Sequence, residues 1–313
     1  MLFGSVAEAI GRTPLVELTR FAKRVGAKGR LFAKLELLNP GYSKKDRIAR
    51  QILTEAGRNG SLLPGQHVVE LTSGNTGIGL AICCGSLGHP FTAVMSKGNS
   101  VERARMMRAL GATVVLVDQD PQSVPGQVSQ KDLQLVEATT HRLVNELGAF
   151  RADQFNLPGN ENAHYLETAS EVWDVLHPSA FVDFGGTGGT FSGMAKFFKE
   201  QDPSIHCAWV EPMEERHQIQ GGGYFHLPNG DALTFYELAK KRGHVDSVIR
   251  VGDQESIAAC RLLAQTEGLF GGYSTGANAC AAVKLLAQHP GKSVVFLACD
   301  SGLKYLSLDL FEK

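Results

Sequence analysis

The 313-residue sequence lacks an excess of charge of either sign. Lysine and arginine together number 31, aspartate and glutamate number 32, and the formal net charge is −1. Proteins that bind nucleic acid or anionic membranes usually present an excess of basic side chains. We therefore expect no nucleic acid and no membrane among the partners of this protein. Its 43% of hydrophobic and 20% of charged residues are ordinary for a globular protein.

The sequence also lacks the paired cysteines and the cysteine–histidine spacing of a zinc site. Its six cysteines lie mostly within apolar runs, at Cys83, Cys84, Cys207, Cys260, Cys280 and Cys299. Such positions are typical of buried free thiols in a reducing compartment. We expect no metal site.

A long uninterrupted apolar run is absent as well. The longest apolar stretch, residues 78–95, contains two glycines, a histidine and a proline between positions 85 and 90. This composition indicates a helix, a turn and a strand, and not a membrane span. Glu8 and Arg12 stand where a secretory signal peptide would need apolar residues. We therefore expect a cytoplasmic protein.

Apolar, β-branched runs alternate with helical patterns along almost the whole chain. Continuous apolar strands followed by helices are typical of parallel sheets that are covered on both faces. Eight runs are predicted to be strands, namely residues 31–36, 67–72, 91–96, 112–118, 180–186, 206–212, 247–253 and 293–300. Helices are predicted between most of them, for example over 100–111 and 255–268, and the polar stretch 118–134 is predicted to be an exposed connection. The fold class is thus α/β, with two doubly wound, mostly parallel sheets.

The predicted elements divide into two α/β domains with a boundary near residues 150–158. We expect a smaller N-terminal domain over residues 1–150 and a larger C-terminal domain over residues 151–313. An alternative that the sequence leaves open is that the first strands join the sheet of the larger domain.

Two adjacent lysines follow an Asn-Pro-Gly turn in the segment 39–50. Ser43 and Asp46 are spaced as in a capping box, so we place Lys44 and Lys45 in the first turn of a helix. Neighbouring residues of a helix are separated by about 100° around its axis, so the two ammonium groups cannot share one environment. From the residues alone, a pair of solvated surface lysines is the ordinary interpretation.

A glycine-rich loop, Gly-Gly-Thr-Gly-Gly-Thr at residues 185–190, follows a predicted strand and precedes a predicted helix. Glycines allow backbone N–H groups to close around an anion, the threonines add hydroxyl donors, and the helix contributes its positive end. The loop lacks the third glycine of a dinucleotide fingerprint, since Phe191 stands at that position. We interpret it as a phosphate-binding loop, and a tight strand-to-helix turn is the alternative.

Two further loops have the same strand–loop–helix setting. Residues 70–80 place hydroxyl and amide groups where a small anion, such as a substrate carboxylate, would fit; simple helix capping would use only one of them. Residues 271–280 contain Ser274 before an alanine-rich helix, which alone predicts no more than a cap. Together, the lysine and the phosphate loop favour pyridoxal 5'-phosphate, because an amine bonds its aldehyde and the loop holds its phosphate.

The order of the motifs N-P-G-x-S-x-K-D-R, T-S-G-N-T-G, G-T-G-G-T and G-x-S-x-G closely resembles the cysteine synthase (O-acetylserine sulfhydrylase) and cystathionine β-synthase family. The resemblance extends from residues 11–18 to residues 300–307. It implies a fold-type II pyridoxal-phosphate enzyme, similar to the tryptophan synthase β subunit, that forms a homodimer and acts on small amino-acid substrates in amino-acid biosynthesis.

The resemblance also implies roles for individual residues. Lys45, directly before Asp-Arg, is the implied Schiff-base lysine, and Lys44 occupies a variable position. Ser274 is the implied partner of the pyridine nitrogen, and Asn75 that of the 3'-oxygen. The implied phosphate loop consists of Gly186, Thr187, Gly188, Gly189 and Thr190. The implied contacts of the substrate are Thr72, Ser73, Asn75, Thr76 and Gln154.

The activity that the resemblance implies is β-replacement on an O-activated L-serine, such as O-acetylserine, through an aminoacrylate. Two departures from the family pattern leave the second substrate open: Tyr42 replaces a glycine, and the segment after 210–212 is short. Two others are that Cys299 replaces a common proline and that the polar connection at 118–134 is long. An amino-acid amine or organic thiol as nucleophile, O-phosphoserine as donor, and an inactive binding protein are the alternatives. The charge of Lys44 is expected to lower the pKa of Lys45.

Overall fold

The chain divides into two compact units, and neither is continuous in sequence. The first unit comprises Met1–Ile10 and Lys45–Asn160, and the second comprises Gly11–Lys44 and Glu161–Lys313. The structure, a computed structural model, describes residues 2–72, 74–123, 128–214, 217–220, 222, 233–308 and 310–312.

The described residues form ten strands in two sheets. The strands are β1 (Leu15–Glu17), β2 (Arg30–Lys34), β3 (Val68–Leu71), β4 (Phe91–Ser96), β5 (Thr113–Val117), β6 (Phe150–Arg151), β7 (Ala180–Phe184), β8 (His206–Pro212), β9 (Ser247–Val251) and β10 (Ser293–Leu297). Every predicted strand run overlaps an observed strand. Strands β1 and β6 were not predicted, because they have only three and two residues.

The α-helices of the described residues mostly follow the strands, as βα alternation requires. They are α1 (Thr19–Val25), α2 (Lys45–Asn59), α3 (Asn75–Leu87), α4 (Val101–Ala109), α5 (Gln130–Leu147), α6 (Gly159–Ala163), α7 (Ala169–Trp173), α8 (Gly189–Gln201), α9 (Phe235–Lys241), α10 (Asp253–Glu267) and α11 (Tyr273–Gln288). A π-helical turn, His164–Thr168, joins α6 to α7. No helix in the described ranges is long and apolar enough to cross a membrane.

The first unit contains a four-stranded parallel sheet in the order β5-β4-β3-β6. Strands β3 and β4 are buried along their whole length. This burial on both faces explains why apolar residues predominate in both strands without a strictly alternating pattern, although β3 also carries the buried Glu70.

The second unit contains a six-stranded sheet in the order β1-β2-β10-β7-β8-β9. Strand β1 is antiparallel to β2, and the remaining pairs are parallel. Phe181, Phe191 and Phe198 pack in the core on one side, with rings 5.6–5.7 Å apart between centroids. This architecture of mostly parallel sheets is the α/β fold that the sequence predicts.

The single boundary near residue 150 that was expected from the sequence differs from this division. Residues 11–44 belong to the second unit because β2 pairs with the C-terminal strand β10. This pairing is the alternative that the sequence left open for the first strands.

The exposed connection that was predicted over residues 118–134 ends earlier than expected. Helix α5 begins at Gln130, where Ser129 and Asp132 form a capping box. The stretch also includes residues 124–127, which lie outside the described residues. The six cysteines are free; five are buried and Cys280 is half-buried, as expected from their apolar surroundings.

Candidate functional site

The glycine-rich loop 185–190 connects β7 to α8 in the second unit. Gly188, the residue before the helix, has a φ of 87°, a conformation that glycine adopts without steric cost. A Cβ atom on Gly188 would lie 2.8 Å from the backbone nitrogen of Tyr236, and one on Gly185 would overlap the ring of Trp209. The loop therefore requires glycine at both positions.

The first turn of α8 can hold an anion. Its N-cap residue is Gly188, which has no side chain to accept hydrogen bonds from the first N–H groups of the helix. These N–H groups, the positive end of the helix dipole and the hydroxyls of Thr187 and Thr190 form a donor set suited to a phosphate. The residues present thus fit the phosphate of pyridoxal 5'-phosphate.

His164 supports this loop, and the sequence analysis did not identify it. Its Nε2 lies 3.1 Å from Thr190 Oγ1, and its Nδ1 lies 2.9 Å from Thr168 Oγ1. The imidazole is fully buried and lies in the π-helical turn. Its contact with Thr190 joins residues 26 positions apart, so the local sequence around either residue gave no signal for it.

The predicted carboxylate loop connects β3 to α3 in the first unit. Thr72 Oγ1 accepts hydrogen bonds from the N–H groups of Gly74 at 3.1 Å and Gly77 at 2.9 Å. Gly74 has a φ of 140°. The hydroxyl oxygen of Thr72 therefore shapes the loop, and its O–H group is the part that can donate to an anion.

Two predicted substrate contacts, 78 positions apart in the chain, are hydrogen-bonded to each other. Thr76 Oγ1 donates to Gln154 Oε1 at 2.6 Å, and Gln154 Nε2 donates to the carbonyl of Leu71 at 3.2 Å. The structure thus brings Thr72, Thr76 and Gln154 together in one unit. Asn75 is half-buried at the start of α3, and Ser73 lies outside the described residues.

Glu70 on β3 was not identified from the sequence. It is fully buried, and its Oε1 accepts a hydrogen bond from the Gln154 N–H at 3.3 Å. Burial, reinforced by the negative charge of Asp153, raises the pKa of Glu70 well above its ordinary value, and Arg151 opposes the rise. Glu70 therefore keeps its proton at pH values at which an exposed glutamate is ionised.

The two adjacent lysines lie in different surroundings. Helix α2 begins at Lys45, one residue later than predicted, and Lys45 is half-buried. Lys44 is buried, and its Nζ lies 2.9 and 2.8 Å from the two carboxylate oxygens of Asp183. The interpretation of Lys44 as a solvated surface lysine is therefore wrong.

The ion pair also changes the electrostatic argument about Lys45. Burial alone would lower the pKa of Lys44, but the Asp183 carboxylate outweighs burial and raises that pKa above its ordinary value. Lys44 is thus a permanent cation whose charge Asp183 neutralises. The argument that Lys44 lowers the pKa of Lys45 assumed an uncompensated charge on Lys44, and the ion pair with Asp183 removes that assumption.

Ser274 lies in the first turn of α11 and is buried. A Cβ atom on Gly276, the second glycine of the G-x-S-x-G motif, would overlap the backbone carbonyl of Ser256 on α10. Gly276 is therefore needed for the close packing of α11 against α10, two residues after Ser274.

Tyr42 lies in a turn with a φ of 61°, in the left-handed region that favours glycine. Its N–H donates to the carbonyl of Asn39 at 2.8 Å, and its carbonyl accepts from the N–H of Ser301 at 3.1 Å. The side chain is 45% exposed. The turn thus keeps a glycine-type backbone conformation although the residue is a tyrosine.

Comparison with known proteins agrees with this geometry. The sequence pattern of the family described as "Pyridoxal-phosphate dependent enzyme" matches residues 6–300. Cysteine synthase B of Campylobacter jejuni is 35% identical over 308 residues, covering 98% of this chain and 98% of that protein. O-ureido-L-serine synthase of Streptomyces lavendulae is 34% identical over 316 residues, covering 99% of this chain and 93% of that protein.

A solved structure shows the same fold. O-acetyl serine sulfhydrylase isoform 3 of Entamoeba histolytica superimposes with a TM-score of 0.87 at 32% identity, covering 100% of this chain and 92% of that one. These findings confirm both the fold class and the resemblance that the four motifs indicated.

The raised pKa of Glu70 predicts a pH dependence of stability. The native state holds a proton that the unfolded state releases above the ordinary pKa of 4.5, so the free energy of unfolding falls as pH rises from there towards the native pKa. Between pH 5 and 8, we expect the Tm of the unchanged protein to fall by about 3–6 °C more than that of Glu70→Gln. Thermal unfolding monitored by circular dichroism measures both slopes.

The control for this prediction is Glu146→Gln, because Glu146 is an exposed partner of Arg142 on α5. Its slope should equal that of the unchanged protein. Parallel slopes for Glu70→Gln and the unchanged protein would contradict the assignment of a buried, protonated Glu70.

Proposed function

Since the chain belongs to the pyridoxal-phosphate dependent enzyme family, we propose that it catalyses β-replacement on an O-activated L-serine in a reaction of the cysteine synthase type. The enzyme is a transferase, and its cofactor is pyridoxal 5'-phosphate. The observation that carries the proposal is the loop 185–190, in which glycines required by close packing precede a helix with an N-terminus suited to a phosphate.

The residues present fit this cofactor, and each has a proposed role. The phosphate is held by Gly186, Thr187, Gly188, Gly189 and Thr190. The side-chain amine of Lys45, in its neutral form, would supply the nitrogen that bonds the aldehyde carbon, with water as the leaving group. Asn75 would contact the 3'-oxygen, and Ser274 would contact the ring nitrogen. When bound, the cofactor withdraws electrons from the α-carbon of the amino-acid substrate.

The chemistry of the protein side follows from these residues. Lys45 Nζ, as a free amine, accepts the proton of the substrate α-carbon, which promotes loss of the β-substituent. Ser274 is a neutral partner for the ring nitrogen and, unlike an aspartate, would not hold a proton on it, so a cofactor bound beside Ser274 would withdraw electrons less strongly. This combination favours elimination and replacement at the β-carbon over transfer of the amino group.

The substrate carboxylate is proposed to bind at the start of α3. The proposed contacts are Thr72, Ser73, Asn75, Thr76 and Gln154. The Thr72 hydroxyl, the amide groups of Asn75 and Gln154 and N–H groups at the start of the helix would supply donors, while Thr76 orients Gln154. The 2.6 Å hydrogen bond between Thr76 and Gln154 supports this role, because it fixes both side chains before a substrate arrives.

Sulfide is the proposed nucleophile and O-acetylserine the proposed donor. An amino-acid amine or an organic thiol is the alternative nucleophile, and Tyr42 is the residue that supports this alternative. Its phenol stands three residues before Lys45, at a turn whose φ of 61° fits the glycine that the family pattern has there. O-phosphoserine is the alternative donor.

A homodimer in a reducing cytoplasm is the proposed setting. The dimer is inferred from the family resemblance. The compartment is inferred from the six free cysteines, since thiols of an oxidising compartment are usually paired.

The first test concerns the lysine. After borohydride reduction of the holoenzyme, peptide mapping by mass spectrometry should find the pyridoxyl group on Lys45, because Lys44 is buried and paired with Asp183. Lys45→Ala should lose the covalent cofactor and reduce turnover by about 10³-fold or more. A pyridoxyl group on Lys44 would reverse the assignment.

The second test concerns the reaction. Purified holoenzyme given O-acetyl-L-serine and sulfide should form cysteine, measured by chromatography, at a rate far above that of Lys45→Ala. O-phospho-L-serine as donor, and thiols and amino acids as nucleophiles, form the comparison arms for the unchanged protein and Tyr42→Gly. A holoenzyme that turns over no donor with any nucleophile is a binding protein, and the proposal is then wrong.

The third test concerns the phosphate loop. The double change Thr187→Ala with Thr190→Ala should weaken binding of pyridoxal 5'-phosphate to the apoenzyme by about 10–100-fold, because two hydroxyl donors are lost and the backbone donors remain. Fluorescence titration measures the affinity, and Thr139→Ala on the exposed face of α5 is the control. An unchanged affinity of the double variant would refute the loop as the phosphate site.

A further inference from the structure

Gln154, one of the proposed contacts of the substrate carboxylate, is hydrogen-bonded at four polar atoms. Its side-chain Oε1 accepts from Thr76 Oγ1 at 2.6 Å, and its Nε2 donates to the carbonyl of Leu71 at 3.2 Å. Its backbone N–H donates to Glu70 Oε1 at 3.3 Å, and its backbone carbonyl accepts from Asn160 Nδ2 at 2.6 Å. All of these residues belong to the first unit, and we refer to them as the Gln154 cluster.

The parallel pairing of β3 with β6 brings the Gln154 cluster together. The register of the pair ends with Val69 beside Arg151, so the residues that follow the two positions run side by side. Glu70 and Leu71 thus come next to Gln154. Helices α3 and α6, which follow the two strands in the chain, contribute the other two members of the cluster.

The two side-chain hydrogen bonds fix which way the amide group of Gln154 faces. The Leu71 carbonyl can only accept, so the amide atom beside it is the nitrogen, and the amide oxygen faces the hydroxyl of Thr76. The nitrogen carries two hydrogens, and the Leu71 carbonyl uses one of them. The second N–H is the donor that the proposed function assigns to the substrate carboxylate.

The direction of this second N–H depends on the backbone of Gln154, because the backbone sets the direction in which a side chain leaves the chain. Gln154 lies between the end of β6 at Arg151 and the start of α6 at Gly159. Both of its backbone polar groups are bonded by side chains, the N–H by Glu70 and the carbonyl by Asn160. These two side chains therefore hold a backbone segment that lies outside the helices and strands.

Stability alone does not account for Glu70. It is fully buried, and its second carboxyl oxygen, Oε2, has no hydrogen-bond partner among the described residues. Burial of a polar atom without a partner costs free energy, and an apolar residue at this position of β3 would avoid that cost. The hydrogen bond to the Gln154 N–H is the contact that an apolar residue could not make.

The protonation state of Glu70 suits a site for an anion. Burial, with the negative charges of Asp153 and Glu137, raises the pKa of Glu70 well above its ordinary value, and Arg151 opposes the rise. At pH values at which an exposed glutamate is ionised, the carboxyl group thus keeps its proton and places no negative charge beside the substrate. An ionised carboxylate could accept the same N–H, but it would repel the substrate carboxylate.

We propose that Glu70 and Asn160 are positioning residues for the substrate carboxylate, which hold the backbone of Gln154 so that its second side-chain N–H faces that carboxylate. The inference rests on the proposed function of Gln154. Both residues act through Gln154, and the ligands that they serve are amino acids with an ionised carboxylate.

The test compares two ligands of the holoenzyme, L-serine and 2-aminoethanol, which has the same amine and hydroxyl and lacks the carboxylate. Each ligand is titrated near neutral pH, and its affinity is measured from the change in absorbance of the bound cofactor. Glu70→Ala and Asn160→Ala should each weaken L-serine binding about tenfold, because a backbone group of Gln154 loses its partner. The affinity for 2-aminoethanol should stay within about twofold, because this ligand makes no carboxylate contact.

A conservative variant and a matched control separate positioning from folding. Glu70→Gln keeps an uncharged side chain of the same length with an oxygen acceptor, so its affinity for L-serine should stay within about twofold of that of the unchanged protein. The control is Thr140→Ala, because Thr140 is also fully buried in the first unit and donates to the backbone carbonyl of Val136. It should lower Tm and leave the affinity for L-serine unchanged.

Steady-state kinetics give a second measurement. With O-acetyl-L-serine and sulfide, Asn160→Ala should raise KM for the donor about tenfold and change kcat less, because the carboxylate contact is the same in the ground state and the transition state. If Glu70→Ala does not fold, the pair Glu70→Gln and Asn160→Ala makes the same comparison. Equal losses for L-serine and 2-aminoethanol, or no loss for L-serine, would overturn the proposal, because the two residues would then matter only for folding.

Gln154→Ala distinguishes the two levels of inference. If it weakens L-serine binding and neither Glu70→Ala nor Asn160→Ala does, the positioning role is wrong and the proposed role of Gln154 stands. If Gln154→Ala leaves the affinity for L-serine unchanged, the assignment of Gln154 is wrong, and the inference about Glu70 and Asn160 is wrong with it.

Discussion

The parallel pairing of β2 with β10 is the constraint on which the second unit depends. Its register runs from Arg30 beside Ser293 to Lys34 beside Leu297, so a segment near the start of the chain is hydrogen-bonded to one near its end. The association continues beyond the strands, where Ser43 forms a bridge with Asp300 and the Lys44 N–H donates to the Cys299 carbonyl. Strand pairing thus brings Lys44 close to side chains on β7 and α11. Both of these elements lie between β2 and β10 in the sequence.

The functional loops of both units have the same strand–loop–helix arrangement. This local arrangement is the reason that the loops could be predicted from the sequence. A buried strand ends in glycine and hydroxyl residues and is followed by a helix, at 71–75 in the first unit and at 184–189 in the second. The signal is local, because the positive φ values of Gly74 and Gly188 and the short turn are properties of adjacent residues. The long apolar strands were predictable for the same reason, whereas β1 and β6 are too short to show a pattern.

The features that the sequence did not reveal depend on contacts between distant residues. Lys44 and Asp183 are 139 positions apart, and neither has neighbours that indicate an ion pair. Glu70 has the sequence surroundings of an apolar strand, and only the fold shows a buried carboxyl group beneath Gln154. Local chemistry therefore identified the loops, and the tertiary structure determined which of two neighbouring lysines is enclosed.

The buried ion pair also has a consequence for how this sequence can change over evolutionary time. Loss of either Lys44 or Asp183 alone leaves an uncompensated buried charge, which costs about 3–5 kcal/mol, a large part of the 5–15 kcal/mol by which a domain is ordinarily stable. Replacement of both by apolar residues costs far less. Evolution between this charged pair and an uncharged pair would therefore pass through a destabilised protein with one unpaired buried charge. In a lineage that carries the pair, we expect both residues to be kept or lost together.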